Sequence, residues 1–84
     1  MVDVQHLPEE HKFIIQQEGD TAVLAYRLFN KDEKLAVNFY STYVPPEFRG
    51  KGLAEKLVRA GLKWAKEQGY LVEASCWYVA KFIR

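Results

Sequence analysis

Six consecutive residues, Arg49-Gly50-Lys51-Gly52-Leu53-Ala54, bring together the parts of an anion site. Glycine has no Cβ, so backbone amides at Gly50 and Gly52 can approach a phosphate closely. The segment that follows, Leu53 to Gln68, carries apolar side chains at helical spacing. The glycines therefore lead into a helix N-terminus, whose unpaired N–H groups and partial positive charge attract anions. Arg49 and Lys51 add charge at the same place. The arrangement suits a pyrophosphate. In the plainer reading the glycines only build a turn and the two cations are solvated.

Three phosphate-binding patterns compete for this turn. The Walker pattern needs Gly, four residues, then Gly-Lys-Ser/Thr, and no such run is present. The dinucleotide fingerprint needs a third glycine where the chain has Glu55, and a parallel sheet for which it is too short. The pattern Arg/Gln-x-x-Gly-x-Gly/Ala is met in register by Arg49, Gly52 and Ala54 at a strand-to-helix junction.

Other residues able to do chemistry are few. Cys76 is the lone cysteine. As a nucleophile it needs a lowered pKa; otherwise it is a small apolar side chain lining a pocket or lying in the core. Glu47, two residues before the turn, could act as a base through water, although such a residue is more often solvated. His6 and His11 have no third ligand type nearby, so no metal is expected. The charges of the helix, Glu55, Lys56, Arg59, Lys63, Lys66 and Glu67, read as a solvated face, with Glu55 and Arg59 as an i,i+4 pair.

Composition narrows the class. Eighty-four residues make one small domain, residues 1–84, that must build an economical core. A formal charge of +1 argues against a broad nucleic-acid surface. One cysteine excludes an internal disulfide and a multi-cysteine zinc site, and it fits a reducing compartment. No stretch approaches the roughly 18–20 apolar residues of a membrane span, and Met1 to Gln17 lacks the apolar run of a leader. A cytoplasmic protein is expected, without nucleic-acid or membrane partners.

The elements that must position these residues follow from periodicity and turn signals. Residues 1–11 read as a loose lead-in. Strands are predicted over Lys12–Gln17, Thr21–Phe29 and Leu35–Val44, with a turn at Glu18-Gly19-Asp20 and a charged loop at Asn30–Lys34. In the third strand Leu35, Val37 and Phe39 share a face that Ser41 and Tyr43 continue. Pro45-Pro46 ends it. The helix Leu53–Gln68 buries Leu53, Leu57, Gly61, Trp64, Ala65 and Gln68, widened by Val58 and Leu62, and Gly69 caps it. Tyr70–Cys76 reads as a fourth strand and Trp77–Arg84 as a short terminal helix. The fold is a mixed α+β architecture. A three-strand antiparallel meander precedes a crossover helix, which leads to a fourth strand parallel to the third by a right-handed connection.

These motifs resemble the GNAT superfamily of acetyl-CoA-dependent N-acetyltransferases, in its minimal single-domain branch. The residues that carry the likeness are the run Ser41-Thr42-Tyr43-Val44-Pro45-Pro46-Glu47-Phe48-Arg49-Gly50-Lys51-Gly52-Leu53-Ala54 and the segment Ser75-Cys76-Trp77-Tyr78-Val79. With the intervening helix, the likeness covers residues 35–84. It implies acetyl-CoA as cosubstrate, with its pyrophosphate on the amides of Arg49, Gly50, Lys51, Gly52, Leu53 and Ala54. The pantetheine arm would run beside the backbone of Tyr43 and Val44, in a cleft where the third strand splays from the fourth. It also implies Cys76 as a possible acetyl-accepting nucleophile and Tyr78 as the acid that protonates the leaving CoA thiolate. Many members of the branch have His where this chain has Ser41 and Glu where it has Tyr43, so a base at either place is lacking here. The expected partner is a small-molecule or peptide amine, and the expected state a monomer or weak dimer. The alternative function is a CoA or acyl-CoA binding module with little or no transfer.

Overall fold

The structure, a computed structural model, describes residues 3–17, 19–48, 50 and 52–83, apart from the Glu47 side chain. One five-stranded sheet runs in chain order: β1 (Gln5–Leu7), β2 (Lys12–Gln17), β3 (Asp20–Lys31), β4 (Lys34–Tyr43) and β5 (Leu71–Ala74). Neighbours from β1 to β4 are antiparallel, and β4 and β5 are parallel. The long helix α1 (Leu53–Gln68) connects β4 to β5, and the short helix α2 (Trp77–Ala80) follows β5.

The expected bounds shift where local chemistry was misread. The predicted loop Asn30–Lys34 is a two-residue hairpin. Lys31 pairs with Lys34, and Asp32 and Glu33 both take left-handed backbone angles, φ 52 and 68. Paired positive φ values suit the right-handed twist of the flanking strands, which is why a tight turn replaces the loop. The fourth predicted strand is shorter than Tyr70–Cys76, because Ser75 and Cys76 turn away from β4 toward α2. The terminal helix closes at Ala80.

The amphipathic face of α1 lies on one side of the sheet. Leu53, Leu57, Val58, Gly61 and Ala65 are buried, while Gln68, expected on that face, is exposed. They meet Phe13 and Ile15 from β2, Ala22, Leu24 and Tyr26 from β3, and Val37 and Phe39 from β4. Gly61 marks the closest approach. A Cβ there would come within 2.9 Å of Phe39 Cε1 and 3.0 Å of Leu24 Cδ2. The glycine weakens the helix by about 1 kcal/mol but lets it settle onto the two side chains.

The N-terminal segment is not a loose lead-in. β1 pairs with β2 and carries His6 into an aromatic cluster. The imidazole stacks flat on Phe13 with centroids 4.1 Å apart and meets Trp64 edge-on at 4.7 Å. Its Nε2 lies 2.6 Å from the hydroxyl of Tyr26, which is only 1% exposed. This bond satisfies the polar end of the largest buried ring and fixes β1 at the sheet edge. Sequence periodicity could not find a three-residue strand held by one hydrogen bond and a stack.

Two outcomes follow. Gly61→Ala forces the new methyl against Phe39 and Leu24; overpacking outweighs the gain in helix propensity, and urea unfolding should show a net loss of about 1 kcal/mol or more. An unchanged or higher midpoint would contradict the close packing. Burial holds His6 below its ordinary value of 6.5. The unfolded chain then binds the proton more readily, so stability is full above about pH 6.5 and declines as pH falls below it. His6→Gln, which can keep a bond to Tyr26, should flatten that part of the pH–Tm curve.

Candidate functional site

The site begins where β4 and β5 stop pairing. Their ladder ends at Phe39 and Ala74. The Phe39 carbonyl then accepts from two successive amides, Ser75 at 3.1 Å and Cys76 at 3.3 Å. One acceptor holding two donors marks the point at which the strands diverge. Asn38 secures the same place: its Oδ1 accepts from the Ser75 amide at 3.2 Å, and its Nδ2 donates to Ser75 Oγ at 3.1 Å. Past Phe39, β4 keeps β3 on one side and has no strand partner on the other.

A bulge changes which side chains face the opening. Tyr26 pairs with Phe39, but Ala25 pairs with Ser41, so Tyr40 is an extra residue in β4. One inserted residue reverses the alternation beyond it. Ser41 and Tyr43 therefore do not continue the face of Phe39, as regular alternation predicted. Thr42 and Val44 do, and Tyr43 is 56% exposed. Any contribution of Tyr43 to a ligand must come from its backbone.

Thr42 and Val44 form one wall of a groove of about 420 Å³, with Ala54 from the first turn of α1 and Cys76, Trp77 and Tyr78 on the other sides. A second hollow, about 310 Å³ at the β2–β3 turn, is lined by Gln16, Gln17, Gly19, Asp20 and Thr21. Among the described residues it is lined by one carboxylate and by no cysteine or cation, a lining that disfavours a phosphate.

The start of α1 is built as the turn motif requires. Gly50 and Gly52 have φ of 83 and 73, left-handed values that glycine takes without steric cost. Gly52 caps the helix with no side-chain hydrogen bond, so the first-turn amides, Leu53 and Ala54 among them, have no capping side chain. A Cβ built at Gly50 or Gly52 would meet nothing within 4 Å, which leaves open space beside the backbone. The turn is held from both ends. Phe48, in the 3-10 turn Pro46–Phe48, and Leu53 are both buried in the core. Leu53 thus offers a ligand only its amide, while Ala54 faces the groove. Arg49, Lys51 and the Glu47 side chain lie outside the described residues.

At the other end, Cys76 is half-buried and caps α2 rather than ending a strand. Its Sγ lies 3.5 Å from Thr42 Oγ1, across the gap between the diverging strands. Burial pushes the thiol up. The Thr42 hydroxyl and the nearby amides of Val79, Tyr78 and Thr42 pull it down, and the net result is below its ordinary value. The α2 amides act here through their partial charge, without a full capping bond to the sulfur. Burial, with a lesser push from Glu55, raises the Tyr78 phenol, which keeps its proton at neutral pH. Lys81, the cation nearest Cys76 in sequence, places Nζ over the rings of Trp77 and Tyr78, at 4.9 and 5.2 Å from their centroids. Thr42 was not singled out from the sequence, because the bulge that aims it has no glycine or proline signal. His6 and His11 belong to the aromatic cluster and its border, and no group of three metal-ligating side chains occurs among the described residues. No helix among them is long and apolar enough to cross a membrane.

The family model described as GCN5-related N-acetyl-transferase matches residues 12–84. The cattle Protein NATD1 (Bos taurus) is 32% identical over 85 residues, covering 99% of this chain and 73% of its own. Protein NATD1 of Xenopus tropicalis is 31% identical over 85 residues, with 99% and 75% covered, and that of Homo sapiens is 31% identical with 99% and 73% covered. The match runs through the strands, the glycine-led helix and the Cys76 segment alike, and the chain belongs to the GCN5-related N-acetyltransferase family.

Proposed function

We propose that this chain is an N-acetyltransferase that binds acetyl-CoA between β4 and β5 and passes the acetyl group to a primary amine by way of Cys76. The carrying observation is a single groove with an uncapped, glycine-led helix start at one end and a thiol of lowered pKa at the other. The pyrophosphate is taken by the amides at Gly50, Gly52, Leu53 and Ala54, with Arg49 and Lys51 supplying charge. The pantetheine amides pair with the backbone of Tyr43, at the free edge of β4, and of Val44 just beyond it, and Ala54 and Trp77 cover its apolar stretches.

No Asp, Glu or His lines the groove among the described residues, which leaves no evident base for direct attack by an amine. A cysteine sulfur whose proton has passed to solvent needs none. In the first step the Cys76 sulfur attacks the acetyl carbonyl. A bond from Sγ to carbon forms, the bond to the CoA sulfur breaks, and the Tyr78 phenol protonates the departing thiolate. In the second step a neutral amine attacks the acetyl-cysteine. The bond from nitrogen to carbon forms, the bond to Sγ breaks, the thiolate returns, and the amine proton restores Tyr78. The absence of a base also favours a second reading, a domain that holds CoA without transfer.

Mass spectrometry after incubation with acetyl-CoA should find one acetyl group on Cys76, lost in Cys76→Ala and discharged by an acceptor amine. An unmodified thiol, with full turnover by Cys76→Ala, would contradict the covalent route. Binding with neither adduct nor turnover would select the holding domain. The turn is tested separately by Gly52→Val. Its left-handed backbone should cost folding about 1–2 kcal/mol, and the added Cβ meets no neighbour within 4 Å. CoA binding by calorimetry should fall about a hundredfold or more, roughly 2.8 kcal/mol. Equal losses would mean that the turn is only structural.

A further inference from the structure

We infer that Thr42 is a positioning residue for Cys76: its hydroxyl holds the sulfur toward the groove and donates to it once the thiol proton has left. The inference rests on the acylation reading above and adds the group that prepares the nucleophile. The geometry comes from the bulge. With regular alternation after Phe39, Ser41 would share the Phe39 face; the extra residue Tyr40 puts Thr42 there instead. Thr42 and Cys76 then face each other across the gap at 3.5 Å, within reach of a hydrogen bond to sulfur, and both line the groove.

A hydroxyl suits both states of the sulfur. It accepts from the S–H of the thiol, and after rotation about its C–O bond it donates to the thiolate. Val44, the next residue on that face, has no such group. Tyr78 on α2 lines the same groove, with Lys81 over its ring and Glu55 on α1 acting on its phenol. None of these changes when Thr42 is replaced, so a comparison of Thr42 variants isolates the hydroxyl.

The experiment measures the rate of Cys76 alkylation by iodoacetamide against pH, in the full chain, for wild type, Thr42→Val and Thr42→Ser. Valine keeps the β-branched shape and serine keeps the hydroxyl. Thr42→Val should move the midpoint of the profile to higher pH and slow alkylation at neutral pH by about threefold to tenfold, the scale of one hydrogen bond to an ionised group. Thr42→Ser should return toward wild type, and the Tm of both should stay near it. Acetylation of Cys76 by saturating acetyl-CoA should slow in parallel in Thr42→Val. Superimposable profiles for wild type and Thr42→Val, or a serine variant that behaves like valine, would overturn the inference. Alkylation requires no acetyl-CoA. A shift in Thr42→Val, together with a wild-type chain that takes up no acetyl group, would therefore overturn the acylation reading and leave the Thr42–Cys76 coupling standing.

Discussion

The Phe39 carbonyl, accepting from the amides of Ser75 and Cys76, is the interaction on which the site depends. Up to that oxygen β4 and β5 form an ordinary parallel ladder. Beyond it, the two residues that follow β5 share one acceptor and the chain can no longer keep step. The strands part, a backbone edge is left without a strand, and a groove opens between two elements that are rigidly joined a few residues earlier. Asn38 strengthens the joint by binding the Ser75 amide and hydroxyl together. The Tyr40 bulge then decides what the groove presents, turning Thr42 and Val44 inward and Ser41 and Tyr43 outward.

The same logic governs the helix. α1 must start at the groove and lie flat on the sheet. Phe48 and Leu53 anchor its start in the core, so the amides of Gly52 and Leu53 are positioned by packing. Gly61 lets the middle of the helix approach Phe39, the residue whose carbonyl marks the divergence. Core packing and site geometry thus meet at one residue. Its ring carries the helix, and its backbone ends the ladder.

Much of this was legible in the sequence, for identifiable reasons. The helix Leu53–Gln68 has strong periodicity and a glycine at each end, so its bounds could be read directly. The glycine turn and the crossover follow from the motif and from the order of elements. What was not legible rests on single-residue events. The bulge at Tyr40 reverses a face without any composition signal. The Asp32-Glu33 turn places two carboxylate residues in left-handed angles where a longer polar loop was the natural reading. β1 exists because His6 finds Tyr26 and Phe13, residues distant in the sequence. In the site, Cys76 and Tyr78 were identified by family likeness, whereas Thr42 required the register.

The central claim is that the groove between β4 and β5, read from the helix start to the thiol, is a coenzyme A site. Amide chemical-shift mapping by two-dimensional NMR during titration with CoA tests it most directly. The account predicts saturable shifts at Gly50, Gly52, Leu53 and Ala54, at Tyr43 on the free edge of β4 and Val44 just beyond it, and at Cys76 and Tyr78. The amides of β1 and of the Gln16–Thr21 hollow should stay unmoved. No shifts at Gly52 through Ala54, or saturable shifts centred on the β2–β3 turn, would contradict it.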